Sequence, residues 1–264
     1  MVYFAKNYNF RIFCALIRRD IKVFSSELMD TIIDGIVLIF TEILLYSHFL
    51  PLMGMPSTEI AAMYIGSVVF VLFFLGENLS IRHVFDLKHE RFIDYQLVLP
   101  ISRPWLFAHY IVSFMIESSI ISGLLLTFGL FLLGDKFAVI SPDWIGLVII
   151  YILSLLFFGL FFLFLSFVTN FEWFMDNIWP RVLSPLYGFG CTVFIWSKVN
   201  ELSPWLAKLC LLNPLTYVSE GLRAASIGGP AFIPLWICIP VISCTIAALS
   251  YALMRSISKT LDPV

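Results

Sequence analysis

The sequence predicts an all-α integral membrane protein. Its parts are six transmembrane helices, an N-terminal amphipathic interfacial helix and an outer re-entrant helical hairpin before the last span. Three observations carry this prediction. Hydrophobic residues make up 60% of the 264 and charged residues only 13%, with mean hydropathy +0.95; soluble domains carry about 25% charged and 45–50% apolar residues. The apolar residues fall into runs near the roughly 20 residues that cross a hydrocarbon layer about 30 Å thick. The runs are continuous and do not alternate in polarity, which excludes a membrane barrel. The net charge of −2 carries little information, because in a membrane protein the distribution of charge matters more than its total.

Residues 1–30 are read as a cytoplasmic amphipathic helix and residues 31–264 as the transmembrane domain. Phe10, Phe13, Ile17, Ile21 and Phe24 recur every three or four residues, and Arg11, Arg18, Lys22 and Ser25 take the opposite face. That periodicity describes a helix with one aromatic, lipid-facing side and one basic, wet side. Arg11, Arg18 and Arg19 interrupt the apolar residues, so no cleavable signal peptide is expected. Spans follow at about 32–49, 60–76, 106–133, 145–168, 182–197 and 231–254, the fifth being short. Phe157-Phe158 and Phe161-Phe162 fall on two sides of a helix and read as lipid contact and packing.

With six spans both termini share one side. That side holds twelve of the sixteen Lys and Arg residues, and the other holds Lys136, Lys198, Lys208 and Arg223. The positive-inside rule places both termini in the cytoplasm. The cytoplasmic stretch 80–103 is the most densely charged in the chain, with Arg82, His83, Asp86, Lys88, His89, Glu90, Arg91, Asp94 and Arg103. It is longer than a connection between two spans requires, and interleaved apolar residues predict helix along the membrane, ended by Pro100. A second cytoplasmic piece, 169–181, carries Glu172, Asp176 and three aromatic residues, and suits either an aromatic belt or a docking point.

Outside, 134–143 is a polar connection, whereas 198–229 is long and has an apolar middle, which suggests a hairpin dipping into the outer leaflet. Its most informative residues are Asn213 and Pro214. Asn caps a helix by accepting a hydrogen bond from a free backbone N–H, and proline suits the first helical position. Thr216 to Arg223 then continue as helix, with Glu220 and Arg223 one turn apart on one face.

No GxxxxGK[ST] phosphate loop, HExxH, GxSxG or zinc-spaced Cys/His cluster occurs, so the chain offers no nucleotide site, catalytic set or metal site of its own. His83 and His89 read as solvated loop histidines. The five cysteines form no CxxC pair and read as small buried apolar residues. Glu42 and Glu117 lie deep in the first and third spans. Such carboxylates are costly and face protein or water, so both are candidate pathway residues or hydrogen-bonding groups between helices.

At this point the chain resembles the membrane permease subunit of ABC-2 type ATP-binding cassette exporters, a group that includes polysaccharide, drug and nodulation-factor exporters. Asn213-Pro214-Leu215-Thr216-Tyr217 with Glu220-Gly221-Leu222-Arg223 is close to the family's Asn-Pro-Leu-Thr-Tyr…Glu-(Gly/Ala)-Leu-Arg. Ser203-Pro204-Trp205-Leu206 is similar to its Pro-x-Trp-Leu, and Leu99-Pro100-Ile101-Ser102-Arg103 to its Leu-x-x-Pro-(Val/Ile)-Ser-Arg. Family loops carry Gly-Thr-Leu-Glu before that proline; here Asp94 stands for the Glu and Arg91-Phe92 replace Gly-Thr.

The resemblance implies a non-catalytic half-transporter in a bacterial inner (plasma) membrane. It would pair with a second copy or a related permease and engage no nucleic acid. Separate ATPase chains would bind ATP and Mg, and this chain would hold no cofactor. Asp86, His89, Glu90, Arg91, Phe92, Asp94, Tyr95 and Leu97 would form the coupling helix seated in the ATPase. Asn213, Pro214, Tyr217, Glu220 and Arg223 would belong to the re-entrant segment near the exit for a lipid-like, glycan or drug-like cargo. A proton-coupled secondary carrier using Glu42 and Glu117 is the alternative, although carriers tend to show internal repeats or broken helices at mid-membrane. An intramembrane enzyme is disfavoured by the missing catalytic set.

Overall fold

The computed structural model describes residues 2–85, 92–133 and 142–261, and every regular element among them is a helix. The chain opens with α1 (Val2–Leu44), which continues through a π-helical stretch (Leu45–Phe49) into a last turn, α2 (Leu50–Leu52). Then come α3 (Ser57–Phe85), the short α4 (Phe92–Leu97), α5 (Arg103–Leu133) and α6 (Trp144–Val168). Next, α7 (Phe171–Ile178) passes through a second π-helical stretch (Trp179–Leu183) into α8 (Ser184–Gly188). The chain closes with α9 (Trp196–Leu202), α10 (Pro204–Cys210), α11 (Pro214–Ser226) and α12 (Leu235–Leu261).

Helix α6 is the hub. It packs against α3, α5, α11 and α12, and its mean hydropathy of 2.9 is the highest of the candidate spans. A helix that is apolar all round suits a core or a membrane span; Ile145, Val148, Ile149 and Ile152 near its start stay exposed, while most of its later residues are buried. Phe157, Phe158 and Phe162 are accordingly buried, and Phe73 meets the rings of Phe158 and Phe162 edge-on at 6.2 and 5.4 Å. These phenylalanines serve packing between helices and not lipid contact. The start of α6 is fixed by a residue the sequence reading passed over as loop. Asp143 caps the helix by accepting from Gly146 N at 2.9 Å, and its own backbone N–H donates to the Ala225 carbonyl at 2.8 Å.

Inside the bundle, hydroxyls bridge helices, since lipid offers no competing partner. Tyr64 donates to the Leu125 carbonyl at 2.6 Å and Ser80 to the Phe162 carbonyl at 2.5 Å, while the Ser122 and Tyr151 hydroxyls meet at 2.8 Å.

Among the described residues, four helical stretches are long and apolar enough to cross a bilayer: Ser57–Arg82, Arg103–Phe131, Trp144–Val168 and Leu235–Ser258. These match the second, third, fourth and sixth predicted spans. The stretch 182–197 departs from the single span expected there. Pro180, Pro185, Gly188 and Gly190 break it into a π-helical turn, the short α8 and an irregular run before α9. The N-terminal end departs too. No break separates residues 1–30 from the first predicted span at 32–49, because no proline interrupts α1, which is 43 residues long and so extends about 64 Å. It lies beside α5 and runs in the same direction. Asn9 accepts from Ser102 N at 3.1 Å, the Phe13 ring meets Trp105 edge-on at 5.2 Å, and Asp20 accepts from Ser113 at 2.9 Å.

Close approach between α3 and α5 depends on Gly129, where a Cβ would stand 1.9 Å from the Tyr64 ring. That ring cannot swing away, being tied to Leu125 and packed edge-on against Tyr46 at 5.4 Å. Gly129→Ala is therefore expected to cost about 1–3 kcal/mol through overpacking. Gly188→Ala, which meets nothing within 4 Å, serves as the control. Thermal unfolding of the detergent-purified chain measures both; equal midpoints would contradict this packing.

Candidate functional site

The Asn213–Arg223 segment folds as its local chemistry requires. Asn213 is extended, its side-chain oxygen accepts from Leu215 N at 3.0 Å, and Pro214 occupies the first helical position of α11. The same side chain donates through Nδ2 to the Leu186 carbonyl at 2.6 Å, so one residue caps α11 and ties it to α8. Thr216 donates to the Cys210 carbonyl at 2.7 Å and Tyr217 to the Leu211 carbonyl at 3.0 Å, satisfying acceptors at the end of α10.

One turn further on, Glu220 and Arg223 are both fully buried, at 0% exposure, and their Oε1 and Nη1 lie 3.0 Å apart. The guanidinium also donates to four carbonyls. Nε reaches Ala62 of α3 at 2.9 Å, Nη1 reaches Cys191 at 2.5 Å and Phe194 at 2.9 Å, and Nη2 reaches Thr192 at 2.5 Å. Three of these acceptors belong to the irregular run between α8 and α9, which has no helical partners for its carbonyls. Cys191 there adopts the left-handed region at φ 52°, a conformation that a non-glycine residue holds only when its surroundings fix it. Glu220 takes the complementary role. Its Oε1 also accepts from Trp196 N, in the first turn of α9, at 3.1 Å, and its Oε2 accepts from Ile233 N, just ahead of α12, at 3.3 Å.

The pair therefore joins α3, the broken segment, α9, α11 and the approach to α12. A buried ion pair tolerates desolvation only when its remaining hydrogen-bonding capacity is met, and irregular backbone at membrane depth persists only inside protein. Each requirement satisfies the other. Gly66 admits the arrangement: a Cβ there would lie 1.8 Å from the Thr192 carbonyl oxygen.

The residues predicted to couple to an ATPase are described only in part. Asp86, His89, Glu90 and Arg91 lie outside the described residues, and Phe92 and Asp94 are described only as part of the α4 backbone. Helix α4 is seated by two residues the sequence reading did not single out. Ile93 is buried in an apolar cluster with Phe107, Leu163, Phe167 and Ile257, and the buried Gln96 accepts a hydrogen bond from Tyr110. Tyr95 and Val98 point outward, 76% and 83% exposed, and Leu97 is half-buried. Phe167 lies at the C-terminal end of α6, four residues before α7 begins. Helix α7 buries Phe174 and Ile178 and exposes Glu172, Trp173, Met175 and Asp176. The exposed side chains of α4 and α7 are thus largely aromatic and acidic.

Glu42 and Glu117 do not share a cavity. Glu117 lines one of about 530 Å³ beside Arg19, Asp20 and Arg82. Glu42 lines another of about 190 Å³ formed by α1, α3 and the segment around Tyr187 and Thr192. His109, missed in the sequence, is fully buried with Nε2 3.5 Å from Asp20 Oδ2. All five cysteines are free, and no group of three or more potential metal ligands exists among the described residues.

A family model described as ABC-2 type transporter matches residues 11–227. No curated protein and no solved structure matches the chain.

Removing Arg223 leaves Glu220 buried without its cation and three irregular carbonyls without a donor. Arg223→Ala is expected to destabilise the chain by about 3–5 kcal/mol. Arg223→Lys should recover only part of this, because an ammonium lacks the planar fork that reaches several carbonyls at once. Chemical unfolding in detergent reads both; full recovery by lysine would contradict the geometric argument.

Proposed function

This chain belongs to the ABC-2 type transporter family as a permease component of an ATP-binding cassette transporter, and from that premise we propose that it is the membrane half of an exporter. In this reading it moves a lipid-like, glycan or drug-like molecule outward. A second copy or a related permease completes the pathway, and ATP and Mg are bound by separate ATPase chains. Both termini lie in the cytoplasm of a bacterial cell whose inner membrane holds the protein. The charge asymmetry supports that orientation, the more so because Arg223 is an interior side chain and not a loop charge.

Beyond the four unbroken spans, the C-terminal half of α1 and the segment from Trp179 to α9 make the remaining two crossings. α9 and α10 form the outer hairpin. Residues 1–30 act as the cytoplasmic portion of α1, and 31–264 as the transmembrane domain.

The observation that carries this reading is the seating of α4. Ile93 and Gln96 fix the helix to α5, α6 and α12, while Tyr95 and Val98 are exposed, as are Glu172, Trp173, Met175 and Asp176 of α7. A helix seated by buried residues on one side and presenting large exposed side chains on the other suits contact with a soluble partner. With Asp86, His89, Glu90, Arg91, Phe92, Asp94 and Leu97 it forms the coupling surface for the ATPase. Displacement of that surface passes along two routes. One runs through α4 into α5 and α6. The other runs through α7, the π-helical stretch and α8 to the carbonyls held by Arg223, and from Glu220 into α9. Asn213, Pro214, Tyr217, Glu220 and Arg223 then shape the exit by bracing the outer hairpin.

Tyr95→Ala, and separately the double change Glu90→Ala/Arg91→Ala, are expected to reduce co-purification of the ATPase by about tenfold. Asn213→Ala, which removes a cap worth about 1 kcal/mol, should leave co-purification intact and slow export. Transport that persists without any ATPase and follows a proton gradient would overturn the proposal in favour of a secondary carrier.

A further inference from the structure

Three buried side-chain polar atoms among the described residues have no hydrogen-bond partner: Glu42 Oε2, His109 Nε2 and Ser219 Oγ. Only the first lines the cavity of about 190 Å³. Ser67, whose hydroxyl also reaches the Tyr64 carbonyl at 2.8 Å, hydrogen-bonds the same carboxyl but brings no charge to it. The one cation behind the wall is Arg223, whose Nη2 holds the Thr192 carbonyl and whose charge is matched by Glu220 at 3.0 Å. The Glu42 charge is therefore left without a counter-ion of the protein's own.

The rest of the lining fits a missing cation. Tyr46, Phe70 and Tyr187 line the cavity together with the carboxyl, and Thr192 and Ser67 supply the other polar groups. Tyr46 and Tyr187 are held in place by edge-on contacts, with Tyr64 and Phe70 respectively, each at 5.4 Å. A carboxylate among fixed aromatic rings recognises organic cations through charge and the ring quadrupole together. Lysine and arginine do not line the cavity, and phosphate or carboxylate groups would meet Glu42 as a like charge.

We propose that this cavity seats an ammonium group, with Glu42 as its counter-ion and Tyr46, Phe70 and Tyr187 as its aromatic walls. The inference deepens the exporter reading, on which it rests. The cargo carries a protonated amine or quaternary nitrogen at one end, and that end is recognised between α1, α3 and the broken segment before α9.

The test uses the full-length chain in lipid nanodiscs, with empty nanodiscs subtracted, and compares phenethylammonium with the uncharged phenethyl alcohol by equilibrium dialysis. Saturable binding of the cation and none of the alcohol is expected. Glu42→Gln should weaken cation binding at least tenfold, whereas Glu117→Gln, in the other cavity, should not change it. Tyr187→Leu should weaken it about fivefold and Tyr187→Phe should spare it, a contrast that decides the matter even if Glu42→Gln does not fold. Equal binding of alcohol and cation, absence of saturable cation binding, or an unaffected Glu42→Gln would overturn the assignment, the last indicating a protonated Glu42 that serves only packing. ATPase co-purification by the same preparations separates the outcomes. Failure to associate counts against the exporter reading, and normal association without cation binding counts only against this site.

Discussion

The packing around α11 depends on one buried ion pair. Arg223 and Glu220 have no exposed surface, yet between them they meet four carbonyls and two backbone N–H groups drawn from well-separated parts of the chain. The physical constraint is the absence of water. A chain that leaves helical geometry inside a membrane protein must find partners for every peptide group it frees, and side chains are the only source. Arginine suits this role because its planar donors reach several acceptors in fixed directions. Glutamate then keeps the cluster neutral while capping α9. The proline and glycine residues that break the 182–197 stretch are tolerable only because this pair stands behind it.

The end that carries α4 and α7 is packed differently. There α6 ends among apolar side chains, and α4 attaches through one buried isoleucine and one buried glutamine. Polar contacts there are pairwise, as between Asp20 and Ser113 or Asn9 and Ser102, and do not converge on one cluster as they do at Arg223. The exposed side chains of α4 and α7 are aromatic and acidic.

Much of this was legible in the amino-acid order, wherever the controlling rule is local. The cap at Asn213, the proline after it and the shared face of Glu220 and Arg223 follow from spacing alone. Four of the spans follow from hydropathy. What the pair binds was not legible. Its acceptors are peptide carbonyls up to 161 positions away, and a carbonyl carries no signature in the residue to which it belongs. The broken fifth stretch was hidden for a related reason: a hydropathy average over 182–197 registers its apolar residues and is blind to the order of its prolines and glycines. Gln96 and His109 were overlooked because each looks unremarkable until a distant tyrosine or aspartate is folded against it. The first span was read as separate from the amphipathic helix because their faces differ in polarity, although nothing in the backbone divides them.

The distance along the chain between Arg223 and its acceptors also sets an order of assembly. Ribosomes deliver the N-terminal part first, so Ala62 and the carbonyls of residues 191–194 are made before the arginine that binds them. When α11 emerges, its two charges meet a nest of acceptors already in place, and the helix can leave water without stranding either charge in lipid. Until then the carbonyls of the broken segment lack the donor that later holds them. Biogenesis of this permease therefore has a vulnerable interval, opened by the synthesis of Cys191 and closed only when α11 docks, during which a membrane chaperone or a quality-control protease has its best chance to act.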